Sequence, residues 1–543
     1  MNLLHRLTPL AKTLIIVIIV GGVATGLWFA GMFDGLFDSN GSPSSTSASP
    51  SAYVGNAGSN TGTLATGGGS AAAVDYRPIR ISLDEWVGWK NLLDANGGLR
   101  TQPGSIYYNL GLNIEFVIIN DADHSSSALI AGSIDGAGYT INRYAFLFEQ
   151  FVENGITPVY IGTLYASTGG DGVIARSQFT SIESLYGQRI GVARFSEAMA
   201  LMDWLISQSS LTAEQRASMK DNLVPFDSPD DAARAFFAGH LEAAVTWQPY
   251  LSQAQEAPGT HLLFCTTHAT NLITGGLVFD YDFVQANEDI LVLLMQGAID
   301  AKDMYLTELS VIRAAMPMFS LENDASIIEM AGDATLLNAR EMAESMRGTD
   351  QLLFAEMSDI WAYRGERASR QNADAAFTNR IVGRLEMEPV DIFATSTEPM
   401  FTEDERVQVR EQAEQRERRQ EIMGLLTMRA DIRFEPNTAI ILDDESVTSI
   451  ESFVDVATLI NGSIILIEGN VANIAGYEDN TPFALQLSYE RAREVARQMQ
   501  LRGINPNRMV VVGNGIDSQI ASNDTEAGRI LNRRTDVSFI IME

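Results

Sequence analysis

Apolar and polar positions change period several times along this chain, and each change predicts a different kind of segment. Thr13 to Met32 (TLIIVIIVGGVATGLWFAGM) is almost wholly apolar, with Arg6 and Lys12 on its N-terminal side. That length predicts one membrane-spanning helix, and the flanking charge predicts a cytoplasmic N-terminus. A cleaved signal peptide is the rival. No small-x-small site closes the run, which continues through Trp28 and Phe29, so an anchor is preferred. Either reading exports the rest of the chain. The first acid, Asp34, stands at the far edge of the segment, which leaves no carboxylate for a proton path. Ser39 to Val74 is Ser, Gly, Thr and Ala with scattered Pro and Asn. It buries nothing and predicts a flexible tether with an r.m.s. span of about 30 to 35 Å.

From Arg77 the pattern becomes that of alternating strands and helices. Ile79–Leu83, Ile114–Ile119, Pro158–Thr163, Val173–Ala175 and Arg189–Ala193 read as strands. One unit, Ala128 to Thr140 (ALIAGSIDGAGYT), returns as Ala235 to Trp247 (AFFAGHLEAAVTW). In each, an apolar helical turn stops at Ala-Gly, a carboxylate follows, and a short strand of small residues delivers Tyr139 and Thr140, or Thr246 and Trp247. Two equivalent α/β units imply two lobes facing one cleft, where open α/β sheets bind ligands; two unrelated αβ units would leave the same trace. Ser196 reads as a helix N-cap whose free amides favour an anionic group, and Ser228-Pro229-Asp230-Asp231 as a second helix start. Ala301 to Arg384 reads as helical and as closing this body. Thr402 to Gln420, densely charged with pairs such as Glu414 and Arg418, reads as a solvated connecting helix.

Composition narrows the function. With 543 residues the chain holds two to four domains, and 37 Lys and Arg against 69 Asp and Glu give a net charge of -32. That balance argues against a nucleic-acid partner. Cys265 is the only cysteine, which excludes an internal disulfide, a cysteine metal cluster and an N-terminal lipid-anchoring cysteine. The five histidines show no HExxH spacing, and Asp121, Asp123 and His124 lack the remaining ligands of a calcium loop. No catalytic constellation, cofactor motif or metal set emerges, so the chain reads as a binding protein rather than an enzyme.

The order of a strand-Trp loop, ALIAGSIDGAG, GGDGVIAR, SIESLYGQRIGVAR and AGHLEAAVTWQPY resembles the nitrate, sulfonate and taurine group of ABC-importer substrate-binding proteins, over about Arg77 to Ala375. The resemblance implies a two-lobed type II periplasmic-binding α/β fold that closes on a small molecule by a hinge. It places ligand contacts at Trp86, Ser125, Tyr139, Thr140, Asn142, Gly170, Asp171, Ser196 and Trp247. The aromatic residues suit an organic or cationic body and Ser196 an anion, so ligand identity stays open. An ABC permease is the implied partner, with sensing as the competing role.

The C-terminal stretch carries ILIEGN, LSYERAREV, RGINPNRMVVVGNG and NDTEAGRILNRRTDV in the order of OmpA-like peptidoglycan-binding domains, which it resembles. An α+β domain of βαβαββ plan is expected, with Asp431–Phe434 as its first strand. The resemblance implies wall contacts through Asn473, Arg491, Asn532 and Arg534. Where the family has Glu-Gly-His-Thr-Asp, this chain has Glu468-Gly469-Asn470-Val471-Ala472. Ala472 cannot take the ammonium of a diaminopimelate, which weakens wall binding about ten- to a hundredfold through one lost charge-assisted bond, or leaves a domain kept for its fold that docks a protein or dimerises. The expected organisation is 1–38 cytoplasmic tip and inner-membrane anchor, 39–75 tether, 76–390 two-lobed binding domain, 391–427 linker and charged helix, and 428–543 OmpA-like domain. A stator-like structural link between membrane and wall is the alternative.

Overall fold

The computed structural model describes residues 77–320, 322–365, 372–386, 401–414, 424–430, 432–435, 437–474 and 480–541. The expected membrane span, the tether and Arg418 lie outside them. Among the described residues, no helix is long and apolar enough to cross a membrane.

The first lobe begins with β1 (Ile79–Leu83), β2 (Ile114–Ile118) and β3 (Gly136–Thr140), with β1 parallel to both others. Helix α1 (Ala122–Ile130) precedes β3, and α2 (Ile141–Glu153) follows it directly. The strand is built of small residues because large rings lie on it. A Cβ on Gly136 would meet the Phe279 ring at 2.2 Å, and one on Gly138 would meet Trp89 at 3.0 Å. After β4 (Pro158–Ser167) the chain crosses over at Thr168–Gly170 and enters the second lobe in β5 (Asp171–Arg176).

That lobe adds β6 (Ile190–Ala193), α3 (Glu197–Gln208), β7 (Val224–Phe226), α4 (Pro229–Phe237), β8 (Ala243–Trp247) and β9 (Thr260–Cys265). The chain then returns through Thr266–Ile273 to β10 (Thr274–Asp280), and β11 (Ala334–Leu336) joins the far edge of the first sheet. The two sheets are ordered β11-β4-β10-β3-β1-β2 and β7-β6-β8-β5-β9. Two lobes joined by two crossovers are what the repeat and the resemblance led one to expect. Both helix stops hold: Gly132 and Gly239 have φ of 68° and 83°, the left-handed region that glycine enters without strain.

The stretch after Ala301 is helical apart from β11, a strand not foreseen in it. Helix α5 (Thr349–Tyr363) lies against both α2 and α3. Trp361 donates to the Asn142 carbonyl at 3.1 Å on one side, while Arg364, just past the helix, pairs with the fully buried Asp203 at 2.5 Å on the other. It thus spans the lobes rather than belonging to one.

The expected solvated helix is α6 (Glu403–Glu414), and its environment is different. Val409 and Ala413, four residues apart and therefore on one face, are 0% exposed. They pack with Phe401 on Ile464, Leu466, Val510, Val512 and Ile540, covering the outer face of the C-terminal sheet. Two small apolar residues suffice because the sheet supplies the rest of the apolar surface.

That sheet has the order β12-β15-β13-β14, from β12 (Gly424–Ala430), β13 (Ile464–Gly469), β14 (Met509–Gly513) and β15 (Thr535–Ile540). Helices α7 (Asp444–Leu459) and α8 (Pro482–Leu501) alternate with the strands, and a short α9 (Glu526–Asn532) precedes β15. The first strand is therefore Gly424–Ala430 and not Asp431–Phe434. Arg433 to Leu442 folds back on itself instead, with Glu435 N–H on Ile440 O at 2.9 Å and Leu442 N–H on Arg433 O at 2.9 Å. The apolar core is continuous from both lobes into α7, β12 and β13 through residues such as Ile450, Phe453 and Ile465.

Candidate functional site: the cleft and the C-terminal arginine

Where the two helix N-termini of α2 and α3 meet, one lobe touches the other through charge. Thr140 caps α2 by accepting from Arg143 N–H at 3.2 Å, and its hydroxyl donates across to Glu197 Oε1 at 2.7 Å. Arg143 donates to Glu197 Oε2 at 2.8 Å. Burial opposes the charge on Glu197, but Arg143 and Thr140 outweigh it and hold the carboxyl below its usual range. Asp84, at the C-terminal end of β1, accepts from Trp89 Nε1 at 2.5 Å, and burial raises its pKa against the pull of Arg143.

Asp171, the first residue of β5, accepts from Ser167 Oγ at 2.7 Å. Burial pushes it up to about 7, with Glu197, Asp333 and Asp84 adding to the rise. Asp333 is raised to about 6 by burial, and its Oδ2 is buried without a hydrogen-bond partner. Among the described residues, Asp84, Asp171, Glu197 and Asp333 thus act on the region that holds the Arg143 guanidinium. Tyr165, raised well above the usual range by burial, also feels Asp84, Glu197 and Asp171.

Among the residues expected at the cleft, Trp86 lies partly buried, its ring over Gly170, where a Cβ would fall 2.5 Å from the indole. It stands 6.4 Å from the Tyr165 ring, centroid to centroid. Trp86, Thr140, Gly170 and Asp171 are brought together with the charged cluster. Ser125 and Tyr139 are committed inside the first lobe, in a chain of hydroxyls from Ser82 to Ser125 (2.7 Å) and Ser125 to Tyr139 (2.8 Å).

Asn142 points the other way, onto α5, where its amide meets Met357 Sδ at 3.3 Å. Helical geometry explains this, because two residues past Thr140 is the opposite side of the helix. Ser196 stands at the N-cap position of α3 but makes no cap with its side chain; its hydroxyl donates back to Ala193 O at 2.8 Å. Trp247 donates to Asp230 at 2.6 Å, within its own lobe. Asp84, Arg143, Glu197, Tyr165 and Asp333 were not singled out from sequence. Arg143 and Glu197 had a readable signal: each sits within one turn of a predicted helix start.

The C-terminal site is built differently. Arg491 on α8 is 8% exposed, donates through Nε to Thr438 O at 3.0 Å, and lies over the Phe434 ring at 4.9 Å. Burial, with Arg533 second, lowers it to about 10. It makes no ion pair with any described carboxylate. Ala472 and Asn473 are half-buried nearby in sequence to β13. Asn532 is buried and ties a loop, accepting from Ile520 and Ala521 N–H at 2.8 and 3.1 Å. Arg534 pairs with Asp536 at 2.9 Å, and Asp536 also accepts from Asn470 at 3.2 Å. Asn532 and Arg534 therefore hold the domain together, whereas Arg491 has no described carboxylate against it.

Fold and site together define a two-lobed α/β body followed by a C-terminal domain of four strands and alternating helices. Residues 433–533 match the OmpA family. Outer membrane porin F of Pseudomonas fluorescens is 35% identical over 98 residues, 18% of this chain and 30% of that protein. Outer membrane protein A of Bordetella avium is 33% identical over 84 residues, 16% of this chain and 41% of that protein. The match therefore spans well under half the length of either relative. For the lobes, similar structures include the periplasmic aliphatic sulphonate binding protein of Escherichia coli (TM-score 0.44, 15% identity, 60% of this chain and 98% of that one). Another is the periplasmic nitrate-binding protein of Synechocystis (TM-score 0.44, 12% identity, 58% and 89%).

Proposed function

We propose that this chain is an envelope receptor whose cleft captures a small organic cation. One observation carries the ligand class: among the described residues Arg143, the guanidinium acting on the cleft carboxylates, is already answered by Glu197, while Asp84 and Asp171 stand close by. An anion entering here meets like charge. Where those carboxyls are ionised, which for Asp171 is above about pH 7, each such pair costs ~3 kcal/mol at an effective dielectric of about 20 and a separation of about 6 Å, more than a helix N-terminus returns. An ammonium group is favoured by the same charges, and the partly buried Trp86 indole supplies an aromatic face for its substituents. This reverses the hint of an anion drawn from Ser196, whose hydroxyl turns back into its own lobe.

In this reading Thr13–Met32 tethers the receptor to the inner membrane and the OmpA domain meets the wall. Arg491 offers a site for a wall-peptide carboxylate, while Ala472 leaves the neighbouring ammonium unbound. Bound solute passes to an ABC permease or is reported as a signal. The sensor role is favoured over delivery by the core that the receptor shares with its C-terminal domain, which suits a fixed unit. Thermal shift of the full chain against choline, diamines and alkyl sulfonates tests the ligand class. A dose-dependent rise with a cation supports it, and a rise with sulfonate alone refutes it.

A further inference from the structure

The return crossover between the lobes is gripped by the C-terminal domain. At the end of α7, Asn461 Oδ1 accepts from Thr270 N–H at 3.1 Å, and its amide donates to Thr270 Oγ1 at 2.8 Å. Asn271 donates to Thr458 O at 2.9 Å, and Gly462 N–H donates to His268 O at 2.8 Å. Gly462 sits so close that a Cβ would fall 2.8 Å from His268 Cα and 3.0 Å from its carbonyl oxygen. A second footing is on the other lobe, where Thr427 N–H in β12 reaches Glu183 at 3.4 Å.

The gripped segment is wired to the cleft. Thr266, two residues before His268, shares a hydrogen bond with Ser167 Oγ at 3.0 Å and accepts from Gly169 and Asp171 N–H at 3.1 and 3.3 Å. Ser167 in turn donates to the Asp171 carboxylate. Both crossovers and one cleft carboxylate are thus held in a single network, and its outer end is the OmpA domain. Hinged lobes move by changing backbone angles at a few crossover residues. Here those residues have their carbonyl and amide groups committed to a different domain.

We propose that the C-terminal domain is a clamp on the hinge: the docking of Thr458–Gly462 on His268–Asn271 holds the lobes closed, so opening of the cleft requires its release. Linkage then makes the effect reciprocal: whatever displaces the C-terminal domain loosens the cleft, and whatever opens the cleft loosens the domain. The wall-facing end of the molecule thereby sets access to the receptor end.

The test uses the full chain with spin labels at Glu153→Cys and Glu214→Cys, exposed positions on the first and second lobes. Pulsed electron spin resonance then reads the distance between lobes. Wild type gives one narrow distance. Gly462→Val, which has no room for its side chain, adds a longer and broader population, and exchange of the amides at 268–272 accelerates by about tenfold or more. Asn461→Ala gives the same change to a smaller degree. Hydrogen exchange at β13 and β14 reports whether the domain stays folded. If Gly462→Val unfolds it, the milder Asn461→Ala/Asn271→Ala pair decides. An unchanged lobe distance in a variant whose hinge amides have been freed overturns the clamp.

Discussion

The two charged centres of this molecule handle an arginine in opposite ways. In the cleft, Arg143 faces Glu197 directly, with Asp84 and Asp171 nearby, so the surplus charge is negative and grows as Asp171 ionises around pH 7. In the C-terminal domain, Arg491 is buried beside Phe434 and a backbone carbonyl with no described carboxylate in an ion pair, so the surplus is positive. A buried charge must be answered by something, and what the protein omits is what a ligand brings. The proposed cation at one end and carboxylate at the other rest on this contrast, which can be attacked from either side.

The largest effect is expected from Glu197→Ala, which strands Arg143. Breaking a mostly buried pair costs about 3 kcal/mol, visible as a lower urea midpoint, and alkyl sulfonates then gain measurable binding at the vacated guanidinium. If sulfonates bind wild type and variant equally, the cleft half of the contrast fails. Next comes Ala472→Asp, which returns a carboxylate to the wall site. Sedimentation of the full chain with purified sacculi is expected to tighten about ten- to a hundredfold, and Arg491→Ala should abolish the gain. Gly170→Ala drives a methyl into the Trp86 ring, destabilising the closed cleft by about 1–3 kcal/mol and weakening cation binding in parallel.

The smallest effect is in pH. Asp171 has a folded pKa of about 7, above its unfolded value, so the folded state holds a proton that the unfolded state has lost. Its contribution to stability is therefore full at acid pH and falls as pH rises toward 7, whereas its attraction for a cation grows over the upper part of that range. Binding should strengthen with pH, by less than about tenfold per unit, and Asp171→Asn should flatten the profile.

Much of this architecture was legible because it is local. The repeated Ala-Gly stop reads directly as a left-handed helix end, and the small residues of β3 read as a buried strand. The OmpA segment could be placed from its motifs alone. What was hidden depends on partners far along the chain. Thr140 was foreseen, yet its partner Glu197 comes from the other lobe. Asn142 was expected at the cleft, but its place in the helix turns its side chain toward α5, whose arrival from residue 349 onward no nearby residue announces. The charged helix α6 hid its apolar face in two residues, Val409 and Ala413, which matter only because a sheet waits beneath them. Its packing, like the seat of Gly462 on His268, is a fact about two surfaces and appears in neither stretch alone.

The most direct measurement is isothermal titration of the full chain with a matched pair, an alkyl trimethylammonium and an alkyl sulfonate of equal chain length. A cation-binding cleft gives saturable heat for the ammonium, lost in Glu197→Ala, and none for the sulfonate. Saturable binding of the sulfonate to the wild-type chain, with none for the ammonium, would contradict it.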